Sequence, residues 1–139
     1  LVARAFASPG ITALAPEIDT LSNELIDEFP DREFDLLQYF GEAIPIIVIT
    51  RLLGVPEDMA DQLILWSHDM VAMYQAKRNR EIEDKAVAAT IEFSDYIKRH
   101  IDNRRTRPAD DLISQLISVE NEGKKLSTEE LVATCELLR

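Results

Sequence analysis

The chain has few residues that break or bend a fold, with 4 glycines, 6 prolines and a single cysteine among its 139 residues. One cysteine excludes an internal disulfide framework and fits a reducing compartment, so a cytoplasmic location is expected. Scarce glycine and proline beside abundant Leu, Ile, Ala and Glu points to helices. Positive charge is also short: 15 Lys and Arg face 26 Asp and Glu, for a net charge of −11. Phosphates and anionic membrane surfaces would be repelled, which argues against nucleic acid and membrane as partners. No apolar run approaches the roughly 18 residues a bilayer span requires. The amino end, L-V-A-R-A-F-A-S-P-G, has no initiating Met, basic n-region or long apolar core, so it is not read as a signal peptide. Neither a G-x-G-x-x-G, a phosphate loop nor a nucleophile elbow occurs. His68 and His100 are too far apart for metal-ligand spacing and are expected as surface or capping residues.

What is present describes a globular all-α protein. Hydrophobic residues make up 46% and charged residues 29%, a balance that argues against disorder. The length suits one domain, and no internal repeat or linker divides it. The stretch Ile44 to Asp58, I-P-I-I-V-I-T-R-L-L-G-V-P-E-D, reads as a buried strand or a buried helix. Leu52 and Leu53 at helical spacing, followed by Gly54, favour a helix of about three turns. Being apolar nearly all round, it is expected at the centre, surrounded by the other elements.

The remaining helices follow from apolar spacing. Ile11, Leu14, Ile18, Leu21, Leu25 and Phe29 share one helical face, after a first helical end at Leu1–Ala7. Glu33–Leu36 is a short strand or extended link, and Leu37–Gly41 a turn of helix. Pro56 opens a helix carrying Met59, Leu63, Trp66, Met70 and Met73. The polar run Gln75–Arg80 is a loop. Its Lys77-Arg78-Asn79-Arg80 cluster reads as solvated, or less favourably as a contact for an acidic partner. A long helix from Glu81 to about Arg105 places Val87, Ile91, Phe93, Ile97 and Ile101 inward, with Arg104 and Arg105 complementing its negative end. Another starts at Pro108 and buries Leu112, Ile113, Leu116, Ile117 and Val119. Asn121–Lys125 is a turn, and Ser127 with Glu130 forms a capping box for a terminal helix, Thr128–Arg139.

Chemistry-bearing groups are sparse. The carboxylate pairs Glu57 with Asp61, Asp110 with Asp111 and Glu129 with Glu130 lie in first turns, where capping and helix dipoles explain them. Cys135 stands among Leu131, Val132 and Leu138 as a small apolar filler. Trp66, Met70, Met73 and Tyr74 suit either a core or the wall of an apolar small-molecule pocket. Their place just before a loop with no apolar anchors favours the pocket, with the loop as a lid.

Several ordered motifs resemble those of bacterial cytochromes P450. They are L-V-A-R-A-F-A-S-P, then F-D-L-L-Q-Y-F-G-E-A-I-P, I-x-x-L-L-G-V-P-E-D, R-P-A-D-D-L-I-S-Q-L and L-S-T-E-E-L-V-A-T-C-x-L-L. The resemblance covers the whole chain and implies an internal piece of that fold, incomplete at both ends, from late helix C to early helix I. It assigns Ile11–Phe29 to helix D, Ile44–Leu53 to E, Pro56–Tyr74 to F, Glu81–Arg105 to G, Ala109–Glu120 to H and Thr128 onward to I. The implied parent is a haem-thiolate monooxygenase that hydroxylates an apolar small molecule with O2 and electrons from a ferredoxin-type donor. In that family the F and G ends roof the substrate pocket, which carries over to Met70, Met73 and Tyr74, and then to Ile82 and Val87. The haem-ligand motif F-G-x-G-x-H-x-C is absent, and Cys135 lacks its glycines. The oxygen-activation motif A-G-x-x-T is also absent. Glu136 and Arg139 match E-x-x-R only formally, since they stand in the helix-I stretch. No catalytic, haem-binding or metal residue is therefore assigned, and the chain alone is expected to be inactive and to self-associate through an uncovered helix E. The competing reading is a non-enzymatic all-helical interaction module.

Overall fold

The computed structural model describes residues 9–118, 120–121 and 124–138. Among these the chain forms α1 (Pro9–Asp27), α2 (Ala43–Leu53), α3 (Ala60–Val71), α4 (Arg80–Thr106), α5 (Leu112–Ser118) and α6 (Thr128–Leu138). Two-residue strands β1 (Glu120–Asn121) and β2 (Lys124–Lys125) pair antiparallel between α5 and α6, at the expected turn. A π-helical turn, Leu37–Gly41, precedes α2, and 3-10 turns at Glu57–Met59 and Ala72–Tyr74 flank α3. The first helical end proposed for Leu1–Ala7, and Val119, lie outside the described residues.

Local chemistry sets the helix ends. Asn79 Oδ1 accepts from the Ile82 N–H at 3.0 Å and starts α4. Ser127 Oγ accepts from the Glu130 N–H at 3.1 Å while Glu130 Oε2 accepts from the Ser127 N–H at 2.8 Å, which completes the capping box of α6. Gly54 closes α2 at φ +67°, and its N–H donates to Arg51 O at 3.0 Å. Glu33–Leu36 forms no strand. Glu33–Asp35 is an irregular link and Leu36 is already helical, with Asp35 Oδ1 accepting from the Leu37 N–H at 2.9 Å; the rings of Phe29 and Phe34 lie 4.8 Å apart and those of Phe34 and Tyr39 5.4 Å apart.

The centre of the molecule is α4, not α2. At 27 residues α4 is about 40 Å long, enough to pack against α3, α5 and α6 in succession. Phe93, Ile97 and Ile101 are at most 1% exposed, and Ala86 and Ala89 extend their stripe. By contrast Ile44, Ile46, Ile47, Val48 and Ile49 of α2 are only half-buried, and within that helix only Thr50 and Leu53 are fully covered. Apolar composition measures what a helix can bury; the number of neighbours decides what it does bury.

Val87 and Ile91 also depart from expectation, each 56% exposed. Ile91 is two residues from Phe93, about 200° around the helix, so the two cannot share a face. The inward stripe steps Ala86, Ala89, Phe93, Ile97, Ile101, and Val87 with Ile91 forms a second apolar stripe beside it. That second stripe faces the candidate site.

Candidate substrate cleft

Among the described residues, two of the concavities are lined mainly by apolar side chains. The larger, about 460 Å³, lies where the end of α3 and its 3-10 turn meet the first half of α4. Met70, Met73 and Tyr74 line it from the first side; Ala86, Val87, Thr90 and Ile91 from the second. Met70 forms the floor, 4% exposed, and Tyr74 stands at the rim, 84% exposed. Of the five residues expected in a pocket, Met70, Met73, Tyr74 and Val87 meet here. Ile82 does not line the cleft; it is half-buried and its N–H is engaged by the Asn79 cap.

Arg78 completes the lining, although the polar run that carries it reads in the sequence as a solvated loop. Its Nη1 donates to Met73 O at 3.2 Å, which folds the loop back over the end of α3. Nε lies 3.4 Å from Glu83 Oε1 in a solvent-exposed pair. The Thr90 hydroxyl donates to Ala86 O at 2.8 Å, so it is already committed within the helix. Ile91 was recognisable in the sequence as the i+4 neighbour of Val87; Arg78 carried no periodic signal.

The smaller concavity, about 180 Å³, runs beside α2 and is lined by Ile46, Ile49, Leu63, Ile64, His68 and Cys135 among others. Cys135 is 1% exposed, and burial, with Glu136 adding to it, pushes its thiol up to about 12. A neutral, enclosed thiol on a helix is the opposite of what an axial iron thiolate needs. These residues therefore do not fit a haem-iron ligand site. Glu136 is occupied by the Ser94 hydroxyl, which donates to its Oε1 at 3.0 Å, and Arg139 lies outside the described residues.

A third cluster is polar and buried. Arg104 Nε donates to Asp111 Oδ2 at 2.5 Å and its Nη2 to Gly54 O at 2.8 Å, tying α4 to the end of α2 and the start of α5. One ring nitrogen of His100 is 3.2 Å from Leu53 O, and the ring stacks on Tyr96 with planes 4° apart. His100 is thus a helix cap, and burial lowers its pKa while the Leu53 carbonyl partly opposes that shift. The cluster joins helices and presents no open reacting group. His68 is exposed. Among the described residues that line the larger cleft, none pairs a nucleophile with a base.

No helix among the described residues is long and apolar enough to cross a membrane. No protein-family model matches the chain. It is 37% identical over 139 residues to the polyketide biosynthesis cytochrome P450 PksS of Bacillus subtilis, covering 99% of this chain and 33% of that protein. It is 38% identical over 142 residues to the cyclomarin C epoxidase CymV of Salinispora arenicola, covering 99% and 35%. Among solved structures, ligand-free cytochrome P450 TbtJ1 superimposes with a TM-score of 0.88 at 39% identity, over 99% of this chain and 36% of that one. The chain spans about a third of the length of the curated relatives it matches. The similarity favours an enzyme family over a helical interaction module.

Proposed function

The chain belongs to the bacterial cytochrome P450 family, and from that premise we propose that it forms the substrate-facing roof of a haem-dependent monooxygenase acting on an apolar small molecule. The observation that carries this reading is the cleft between α3 and α4, where Met70, Met73, Tyr74 and Val87 meet. Thioether and aromatic side chains give an adaptable apolar wall suited to a small organic ligand. O2 and electrons from a ferredoxin-type donor complete the reaction, in the cytoplasm. Haem and its thiolate ligand come from sequence other than these 139 residues, so the chain alone binds substrate weakly and turns nothing over.

The half-buried Ile44–Ile49 face of α2 supports a second part of the proposal: the isolated chain self-associates. Sedimentation velocity tests it, with a rising weight-average mass expected as concentration increases and a fixed monomer mass overturning it.

The site itself is tested in the complete, haem-loaded protein that carries this stretch. Met73→Ala with Tyr74→Ala is expected to weaken binding of an apolar probe, dodecanol, severalfold by isothermal calorimetry. An unchanged dissociation constant removes the cleft from the substrate path.

A further inference from the structure

Among the described residues, Arg78 is the only charged side chain that lines the larger cleft. In a chain of net charge −11, the ionic group that these described residues offer to a ligand there is a cation. Its guanidinium is only partly committed. One Nη1 donor reaches Met73 O, and Nε meets Glu83 at 3.4 Å with side-chain exposures of 53% and 37%. A pair that long and that exposed holds little energy and yields readily to a better acceptor. A guanidinium has five N–H donors in a planar fork, so most remain available for a bidentate acceptor. The hydrogen bond to Met73 O matters for placement, because it anchors the side chain at the cleft rather than leaving it loose in the loop.

The other polar groups in the lining, Thr90 and Tyr74, are neutral. The Thr90 hydroxyl is spent on Ala86 O, and the exposed Tyr74 reaches the rim. The floor and walls are Met70, Met73, Val87 and Ile91. The cleft therefore has an apolar body and one cationic end.

Resting on the reading of this cleft as a substrate site, we propose that Arg78 is a specificity-determining residue that selects amphiphilic substrates bearing a carboxylate. The carboxylate takes the free N–H donors of Arg78 in place of the weak contact to Glu83, and the hydrocarbon lies along Met73, Val87 and Ile91. Because the anion binds at the rim and the chain inside, the recognised end of the ligand stays near solvent.

The test compares dodecanoate with dodecanol, equal in chain length, by isothermal calorimetry on the complete, haem-loaded protein at pH 7.5. Dodecanoate is expected to bind about tenfold more tightly, the order of one charge-assisted hydrogen bond at a part-exposed site. Arg78→Gln should abolish the preference, so that the variant binds dodecanoate no more tightly than dodecanol, and Arg78→Lys should keep part of it. Equal binding of the two ligands by the unaltered protein, or a preference that survives Arg78→Gln, overturns the proposal. Failure of the site reading looks different: Met73→Ala with Tyr74→Ala then changes neither ligand's binding. If that double substitution weakens both ligands equally and Arg78→Gln does nothing, the cleft stands and the role of Arg78 falls.

Discussion

The carboxylate of Asp111 packs directly against the α-carbon of Gly54, in the space a β-carbon at position 54 would occupy. Gly54 also holds φ +67°, a left-handed conformation that L side chains seldom adopt. Two independent constraints thus coincide at one residue, the turn that ends α2 and the close approach of α5. Gly54→Ala should be destabilising by at least ~2 kcal/mol, combining left-handed strain with displacement of Asp111. Urea unfolding of the variant measures it. A loss below half a kilocalorie would mean that α5 shifts freely, and that the contact is incidental.

The same carboxylate is held by Arg104, and both groups are largely shielded, with side-chain exposures of 18% and 3%. Removing one partner of such a pair leaves a buried charge without compensation. Arg104→Met is expected to cost about 3 kcal/mol, at the lower end for buried pairs because Arg104 retains some solvent. Adding Asp111→Asn should recover part of that loss, since asparagine still caps α5 and carries no charge. A double variant less stable than Arg104→Met alone would refute the ion-pair account. Calorimetric unfolding of the four proteins in the cycle decides it.

Legibility in the sequence followed the range of the interaction. Gly54 and Ser127 act on backbone within four residues, so the end of α2 and the start of α6 are readable to within a residue or two, whereas Asn79, which caps α4 just as locally, reads in the sequence as part of a solvated basic cluster. Arg104 meets Gly54 across 50 positions, and no local pattern announces that. Its place in the last turn suggests a complement to its own helix dipole, but its partners Gly54 and Asp111 lie outside α4. The central position given to Ile44–Leu53 failed for a related reason, because apolarity does not say how many neighbours arrive. In the cleft, Met70, Met73 and Tyr74 were visible as a helical stripe ending at a loop. Val87 follows from the family resemblance, whereas its periodicity suggests the inward face and the residue is 56% exposed. Arg78 was hidden, since a basic residue in a polar run looks solvated until the loop folds back onto Met73.

Ser127 and Glu130 exchange side-chain and backbone hydrogen bonds at the start of α6. Deleting the hydroxyl with Ser127→Ala leaves the Glu130 N–H without its acceptor and should lower stability by about 1 kcal/mol. Ser127→Asp should restore most of it, because aspartate caps as well and favours the positive helix end. Both are read by thermal unfolding. An alanine variant as stable as the unaltered chain would show that α6 is held by Leu131, Val132 and Cys135 packing alone.

Cys135 supplies a pH dependence of defined sign. Burial raises its thiol from 9.0 to about 12, so between those values the folded chain keeps a proton that the unfolded chain releases. Stability tied to this group is therefore complete below pH 9 and declines as pH rises toward 12. Tyr96, also raised by burial, adds to the alkaline slope, so the informative comparison is with Cys135→Ala. That variant should be less stable at pH 7 by about 1 kcal/mol, for the small cavity it leaves, yet lose stability less steeply above pH 9. The native thiol should also resist alkylation by iodoacetamide at pH 8 and react promptly in denaturant, because the reactive thiolate is scarce and enclosed. Parallel alkaline slopes for the two proteins, or rapid native labelling, would place Cys135 in contact with solvent and contradict its packing among Leu53, Phe93 and Leu131.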